Sequence, residues 1–174
     1  MIVKILEECG REQALLGLSL SYNKNPSEVE EISLKLAHKD GGHNKFLESI
    51  VLWVDITAPR YWWQQFDTYR VGVTKQSQST MHTLLKTPIS QDLFESKISQ
   101  NIISRLEYLR TKPDFEQLKL ELPEGFLQRR IICTNYKALR NIISQRKQHK
   151  IKEWQYFINE ILNNIKHKEY LPLG

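Results

Sequence analysis

Residues 58–82, which read APRYWWQQFDTYRVGVTKQSQSTMH, are denser in functional residue types than any other part of the chain. Pro59 suits the first turn of a helix, where its missing N–H group costs nothing. Four aromatic residues then recur at helical spacings, and three of them can share one apolar face: Trp62, Trp63, Phe66 and Tyr69. Gly72 is expected to end this helix, and the hydroxyl-rich residues 73–82 to form a polar loop that can surround an anion. An ordinary surface loop is the alternative interpretation.

The composition is that of an ordinary globular protein. The chain has 174 residues, of which 40% are hydrophobic and 26% charged, and this predicts one domain over residues 1–174. No apolar run is long enough to cross a membrane, and acids follow the first apolar residues, unlike a signal peptide. Cys9 and Cys133 make neither a metal-type spacing nor a disulfide framework, so we expect no metal and a cytoplasmic location.

The positive charge is concentrated in one region. The net charge is +5, and residues 125–152 contain no acid. The basic residues there are Arg129, Arg130, Lys137, Arg140, Arg146, Lys147, Lys150 and Lys152. Such a block favours phosphate or carboxylate ligands, although a solvated face gives the same pattern.

Hydrophobic periodicity and capping residues predict the remaining elements. Strands are expected at 1–7, 49–57 and 127–134, and helices at 11–22, from 27 onward, at 93–110, at 135–146 and at 151–165. Asn135 is a good N-cap for the helix that follows the third strand. The apolar stripe of 93–110 is expected to pack in a core.

Residues 68–82 resemble a divergent copy of the motif of flavin-dependent thymidylate synthases, which reads R-H-R, then S or N-E, then S-x-R-Y. Thr68, Tyr69 and Arg70 occupy the R-H-R positions, where only the last arginine is kept. The second half is matched loosely, with Gln76 near the glutamate, Ser77 or Ser79 near the serine, and Met81 and His82 near the Arg-Tyr pair.

One flanking two-residue element and two flanking single residues extend the resemblance. His43 and Glu48 reproduce an H-x-x-x-x-E element that precedes a strand in the family. Gln65 holds a place similar to the family's glutamine before R-H-R. Lys119 occupies the position of an arginine before a Leu-Pro pair, keeping the charge but losing the planar fork of arginine.

The strongest resemblance lies in the predicted helix 135–146. The family pattern is N-x-R-x-L-x-N-F-x-x-x-R, and the chain matches its spacing without a gap through Asn135, Lys137, Leu139, Asn141, Ile142 and Arg146. A helix cap explains Asn135 alone, but it does not explain Asn141 and Arg146 at the family's offsets.

The resemblance implies an α/β (α+β) fold with a central mixed sheet flanked by long helices, and a homotetramer with sites between subunits and helix 93–110 at an interface. It implies reductive methylation of dUMP to dTMP, with carbon from methylenetetrahydrofolate, hydride from reduced FAD and NADPH as reductant. FAD would be bound by His43, Thr68, Tyr69, Arg70, Asn135 and Asn141. Substrate would be bound by Gln65, Gln76, Ser77, Ser79, Lys119 and Arg146, with Lys119 and Arg146 as the catalytic cations.

The degenerate motif leaves two alternatives open. Thr68, Tyr69 and Met81 replace residues able to make charge-assisted hydrogen bonds, each of which contributes about 1.5–3 kcal/mol. The chain could therefore be a pyrimidine-nucleotide-binding relative with another substrate or without FAD, unless Lys75 and His82 restore the charge. A basic nucleic-acid-binding module is the alternative from another class, but the aromatic residues follow a helical apolar pattern rather than forming an exposed stacking platform.

Overall fold

The computed structural model describes residues 1–112 and 114–172. In chain order the elements are β1 (Ile2–Cys9), α1 (Arg11–Leu20), α2 (Glu30–Ala37), β2 (Val51–Pro59), α3 (Arg60–Phe66), β3 (Val73–Ser77), α4 (Thr80–Thr83), α5 (Gln100–Thr111), α6 (Phe115–Glu121), β4 (Leu127–Asn135), α7 (Tyr136–Arg146) and α8 (Lys152–Asn164). Short 3-10 turns lie at Pro26–Val29, Lys45–Ser49, Gln91–Leu93 and Lys168–Tyr170.

The four strands form one sheet in the order β1-β2-β4-β3. At one end of the β2–β4 pair, the N–H group of Arg60 donates to the carbonyl of Phe126 at 3.0 Å. At the other end, the N–H group of Tyr136 donates to the carbonyl of Ile50 at 3.0 Å. Residue numbers thus rise along one strand as they fall along the other, so the pair is antiparallel. The sheet is antiparallel, which corrects the expected mixed sheet, and the hydrogen bonds at the two ends of the β2–β4 pair show this orientation directly.

The described residues form two compact units. Unit 1 comprises Met1–Ile2, Ile56–Thr68 and Gln76–Arg130, and unit 2 comprises Val3–Asp55, Tyr69–Lys75 and the residues from Ile131 onward. The single domain expected over residues 1–174 stays a prediction, and it includes Pro113, Leu173 and Gly174, which lie outside the described residues.

The core of unit 1 is built around α5. Its buried cluster consists of Leu84, Ile89, Phe94, Ile103, Leu106, Leu109, Leu118, Leu122 and Phe126. The helix begins at Gln100 rather than at residue 93, because the Ser99 side chain caps it by accepting the N–H group of Asn101. Phe94 instead forms an isolated antiparallel bridge with Phe126. Helix α5 buries Ile103, Leu106 and Leu109, so the expected core packing holds for part of the apolar stripe, whereas Ile102 is exposed.

A carboxylate on α5 ties this helix to the preceding segment of unit 1. Glu107 accepts hydrogen bonds from Arg110 Nε at 2.7 Å and from the N–H group of Ile89 at 2.9 Å. Arg110 also donates to the carbonyl of Leu85 at 3.2 Å. The hydrogen bond from Arg110 is the largest cause that lowers the pKa of Glu107 from its ordinary value of 4.5 to about 2.

Helices α7 and α8 both contribute buried residues to the core of unit 2. Helix α7 buries Tyr136, Leu139, Ile142 and Ile143, and α8 buries Trp154, Phe157, Ile158 and Ile161. The buried carboxylate of Glu8 at the end of β1 accepts from the Tyr136 hydroxyl at 2.7 Å and from the N–H group of Lys166 at 2.7 Å. Strand β4 and both helices lie where the sequence predicts them.

The region 66–77 differs from the sequence prediction. Helix α3 ends at Phe66, where the Thr68 hydroxyl donates to the carbonyl of Gln65 at 2.8 Å. Gly72 adopts a left-handed conformation with φ 68°, which favours glycine, and Val73–Ser77 then forms β3. The predicted polar loop over residues 73–82 is therefore wrong for its first half, because these residues pair along β4 instead of turning in solvent.

Candidate functional site

Helix α7 begins at a side-chain cap. The Asn135 Oδ1 atom accepts the N–H group of Ala138 at 2.9 Å, as the N-cap prediction requires. A Cβ atom built on Gly72 would lie 3.0 Å from Asn135 Nδ2, so the absence of a side chain at Gly72 leaves room for this amide. The Oδ1 atom of Asn135 is thus engaged in the helix cap. The predicted contact of this residue with FAD would therefore be made by its Nδ2 atom.

One face of α7 lines a cleft in unit 2, which we call the glycine cleft. Its volume is about 390 Å³, and its lining consists of Asp40, Gly41, Gly42, Asn44, Lys137, Arg140, Asn141 and Ser144. The two glycines have φ of 71° and 90°, and no atom lies within 4 Å of a Cβ built on either. A ligand can therefore approach the backbone closely at this position.

The cations of the glycine cleft differ in their partners. Lys137 donates to Glu48 Oε1 at 2.7 Å, and this contact lowers the pKa of the Glu48 carboxyl. Arg140 lies 3.1 Å from His38 Nδ1, and no carboxylate within the described ranges pairs with it. Because the guanidinium only donates, His38 Nδ1 is the acceptor of this bond. Arg140 belongs to the basic block, and no individual role could be predicted for it from the sequence.

A second cleft, the histidine cleft, shares Gly42 with the glycine cleft. Its volume is about 640 Å³, and it is lined by residues of α1, of α2 and of the segment from Gly42 to Ser49. His43, Lys45 and Glu48 bring polar groups to it. The structure thus places the predicted flavin residues His43 and Asn141 in two adjoining clefts of unit 2.

Arg146 at the end of α7 lies against two aromatic rings. Its guanidinium is 4.8 Å from the ring centroid of Trp154 and 5.5 Å from that of Tyr69. Its Nε atom donates to the Tyr69 hydroxyl at 2.8 Å. In the part of the chain that the structure describes, no carboxylate forms an ion pair with Arg146. Burial and the charge of Arg146 together lower the pKa of the nearby His149 imidazole.

The residues on either side of Tyr69 in the R-H-R positions are exposed, whereas Tyr69 is buried. Arg70 is exposed, and Thr68 is exposed in unit 1 with its hydroxyl bonded to the carbonyl of Gln65. Lys75, which was expected to restore a lost charge, donates to the backbone carbonyl of Tyr69 at 2.8 Å. It therefore supports the Tyr69 backbone.

The predicted substrate residues of unit 1 lie on or next to α3, β3, α4 and α6. Lys119 on α6 donates to the Thr80 hydroxyl at 2.8 Å, and Thr80 follows directly on Ser79. Gln76 and Ser77 are exposed at the end of β3, and Gln65 is half-buried on α3. The role of Thr80 could not be read from the sequence, because its partner is 39 positions away.

Part of the basic block is neutralised inside unit 1. Arg130 bonds to Asp67 Oδ1 at 2.8 Å and lies 4.4 Å from the ring centroid of Trp63. The indole of Trp63 in turn donates to the carbonyl of Gln128 at 2.8 Å. Arg130 is therefore a structural cation rather than a free ligand for phosphate.

No His, Cys, Asp and Glu cluster suited to a metal ion occurs among residues 1–112 and 114–172. In the same ranges, no helix has the length and apolar composition needed to cross a bilayer.

The fold is that of the flavin-dependent thymidylate synthases. The structure of flavin-dependent thymidylate synthase ThyX from Helicobacter pylori complexed with FAD and dUMP matches with a TM-score of 0.81 at 14% identity, covering 98% of each chain. Another structure of ThyX from the same organism with FAD and dUMP matches with a TM-score of 0.81 at 15% identity, covering 98% of this chain and 97% of that one.

The family model described as thymidylate synthase complementing protein matches residues 8–170, and the chain belongs to this family. No curated protein sequence matches the chain significantly. The predicted family and the α/β class are confirmed.

Proposed function

We propose that the protein catalyses the reductive methylation of dUMP to dTMP, with methylenetetrahydrofolate as carbon donor, FAD as cofactor and NADPH as reductant. Family membership supports an enzyme of the thymidylate synthase type. One observation carries the finer proposal. Helix α7 presents Lys137 and Asn141 to the glycine cleft and ends at Arg146, with the spacing that the resemblance requires.

The glycine cleft fits an anionic group such as the diphosphate of FAD. Lys137, Arg140 and Asn141 supply side-chain donors, and a ligand can come close to the backbone of Gly41 and Gly42. Left-handed glycines next to cations are typical of anion sites. Asp40 also lines the cleft, and Glu48 competes for Lys137, so Arg140 is the cation best placed to bind a phosphate.

FAD, when bound, supplies the hydride chemistry, and the residues of the chain bind and orient it. Lys137 and Arg140 would hold its negative charge, and the Asn141 amide would donate a hydrogen bond. His43, on the segment that adjoins both clefts, would contact the flavin from the histidine cleft. The chain thus retains cations for FAD although two of its three R-H-R residues are replaced.

Arg146 and Lys119 are the cations proposed for the nucleotide. Among the described residues, Arg146 has no acidic partner, and the Lys119 ammonium is held by the Thr80 hydroxyl. Each cation can stabilise charge that develops on the uracil ring or remains on the phosphate. Gln65, Gln76, Ser77 and Ser79 would add uncharged hydrogen bonds.

Cys133 is poorly suited to act as a nucleophile on the uracil ring. Cys133 lies half-buried on β4, and its burial is the main cause that raises the pKa of its thiol. A thiol with a raised pKa is protonated at neutral pH and therefore a poor nucleophile. This agrees with a reaction in which a cofactor rather than a cysteine does the chemistry.

The homotetramer and the cytoplasmic location are part of the proposal. Helix α5 buries Leu106 and Leu109 in unit 1 but leaves Ile102 41% and Tyr108 53% exposed. A partner subunit packed on α5 would cover these two side chains, in line with the proposed tetramer. Light scattering should give the mass of a tetramer, and a monomer at every concentration would refute it.

The enzymatic proposal is tested by product formation. Purified protein is incubated with dUMP, methylenetetrahydrofolate, NADPH and FAD, and dTMP is separated chromatographically. We expect dTMP to form only when FAD is present. Absence of dTMP from the complete mixture, in a preparation that is folded by circular dichroism, would contradict the proposal.

A further inference from the structure

Tyr69 occupies the histidine position of the R-H-R pattern, yet its side chain is buried inside unit 2. Only 9% of the residue is exposed. Its hydroxyl donates to Gln145 Oε1 at 3.0 Å and accepts from Arg146 Nε at 2.8 Å. Its ring lies edge-on to Trp154, with the centroids 6.2 Å apart. The phenol proton and one lone pair are therefore engaged by neighbours on α7.

The same contacts fix the guanidinium of Arg146. Its Nε–H group donates to the Tyr69 hydroxyl, and its Cζ atom lies 4.8 Å from the ring centroid of Trp154 and 5.5 Å from that of Tyr69. Within the described ranges, neither Nη1 nor Nη2 donates to a protein acceptor. These two nitrogens form an edge that can bind two oxygens of a phosphate or of a carboxylate.

We propose that Tyr69 is a positioning residue for Arg146 rather than a contact to FAD. This inference rests on the nucleotide role proposed above for Arg146. Arginine loses rotamer freedom when it binds a ligand, and a side chain that is already fixed pays less of that cost. The tyrosine thus replaces a family residue and takes on a different task, which is to hold the cation that binds dUMP.

A double-mutant cycle tests this coupling. Calorimetric titration with dUMP, in the presence of excess FAD, is carried out on the wild type, Tyr69→Phe, Arg146→Ala and the double variant. Tyr69→Phe keeps the ring but removes the hydroxyl, and we expect it to weaken dUMP binding about threefold to tenfold. In the Arg146→Ala background the same change should have no further effect. Tyr156→Phe, which removes an exposed hydroxyl from α8, is the matched control and should bind as the wild type does.

Equal weakening by Tyr69→Phe in both backgrounds would overturn the inference. Loss of FAD binding with unchanged dUMP binding would also overturn it, because Tyr69 would then serve the flavin. A merely structural role would lower the melting temperature without this coupling.

A second readout needs no ligand. In an NMR spectrum of ¹⁵N-labelled protein, the Arg146 Nε–H signal, assigned by its absence in Arg146→Ala, should exchange slowly with water in the wild type. Tyr69→Phe should speed that exchange, and an unchanged rate would refute the positioning contact. If the wild type binds no dUMP but keeps this protected signal, the proposed function fails while the contact between Tyr69 and Arg146 stands.

Discussion

Replacement of Arg146 by alanine should reduce nucleotide binding more than it reduces stability, but it should reduce both. The bond from Nε to the Tyr69 hydroxyl contributes about 1.5–3 kcal/mol, as bonds to charged groups do. Stacking over Trp154 and Tyr69 adds about 0.5–1 kcal/mol per ring. The freed side-chain entropy returns up to about 2 kcal/mol. With the full entropy term, the net loss of folding free energy is about 0.5–3 kcal/mol with a midpoint just under about 2 kcal/mol, which lowers the melting temperature by a few degrees.

The effect on dUMP binding should be larger. A charge-assisted bidentate contact that is lost costs at least about 1.5–3 kcal/mol, which corresponds to a weakening of about tenfold to more than a hundredfold. Calorimetric titration with dUMP beside a thermal melting curve measures both effects.

Arg105→Ala is the matched control for this experiment. Arg105 makes a bidentate pair with Glu121 in unit 1, so its loss should affect the melting curve but not the affinity. Unchanged dUMP affinity in Arg146→Ala, together with a lowered melting temperature, would show that Arg146 is structural and would refute its role in the site.

Three further predictions concern separate parts of the molecule. Lys119→Met should weaken dUMP binding by about tenfold or more. Thr80→Val removes only the hydroxyl that holds the ammonium, so it should weaken binding less. Equal calorimetric affinities for the wild type and both variants would contradict this. Lys137→Ala should weaken FAD binding in a fluorescence titration, whereas Lys147→Ala, an exposed lysine just beyond the same helix, should not; equal effects would argue against the glycine cleft. Glu107→Gln should lower stability by about 1 kcal/mol at neutral pH. Because the folded-state pKa of Glu107 is lowered, the difference in stability should be present above pH 4.5 and disappear as the pH falls toward about 2. A difference in stability that persisted in thermal melts at acid pH would show that it does not come from the Glu107 charge.

The elements that the sequence predicted well depend on local signals. Strand β4 and helix α7 were predicted because Asn135 caps the helix from within its own turn and the apolar residues of α7 repeat at helical spacing. The start of α5 was misplaced because Phe94 pairs with Phe126, a partner 32 positions away that no local pattern reveals. Strand β3 also depends on a distant partner, because its hydrogen bonds are made with β4, so its sequence alone predicts a loop.

The internal contacts of the candidate site could not be predicted from the sequence, and the roles assigned to its residues stay predictions. His43 and Asn141 were chosen from a spacing, and the structure places them in adjoining clefts. The contact of Tyr69 with Arg146 spans 77 positions, and that of Arg140 with His38 spans 102. Such pairs depend on how the chain folds, so the sequence suggested cofactor binding for Tyr69 and gave no role to Arg140.

The central claim is that the chain binds FAD although its R-H-R motif is degenerate. The most direct measurement is the visible absorbance spectrum of the purified protein after incubation with excess FAD and gel filtration. We expect flavin to elute with the protein and its absorbance bands to be shifted from those of free FAD. A protein peak without flavin absorbance, from protein that is folded, would refute FAD binding and favour a relative that has lost the cofactor.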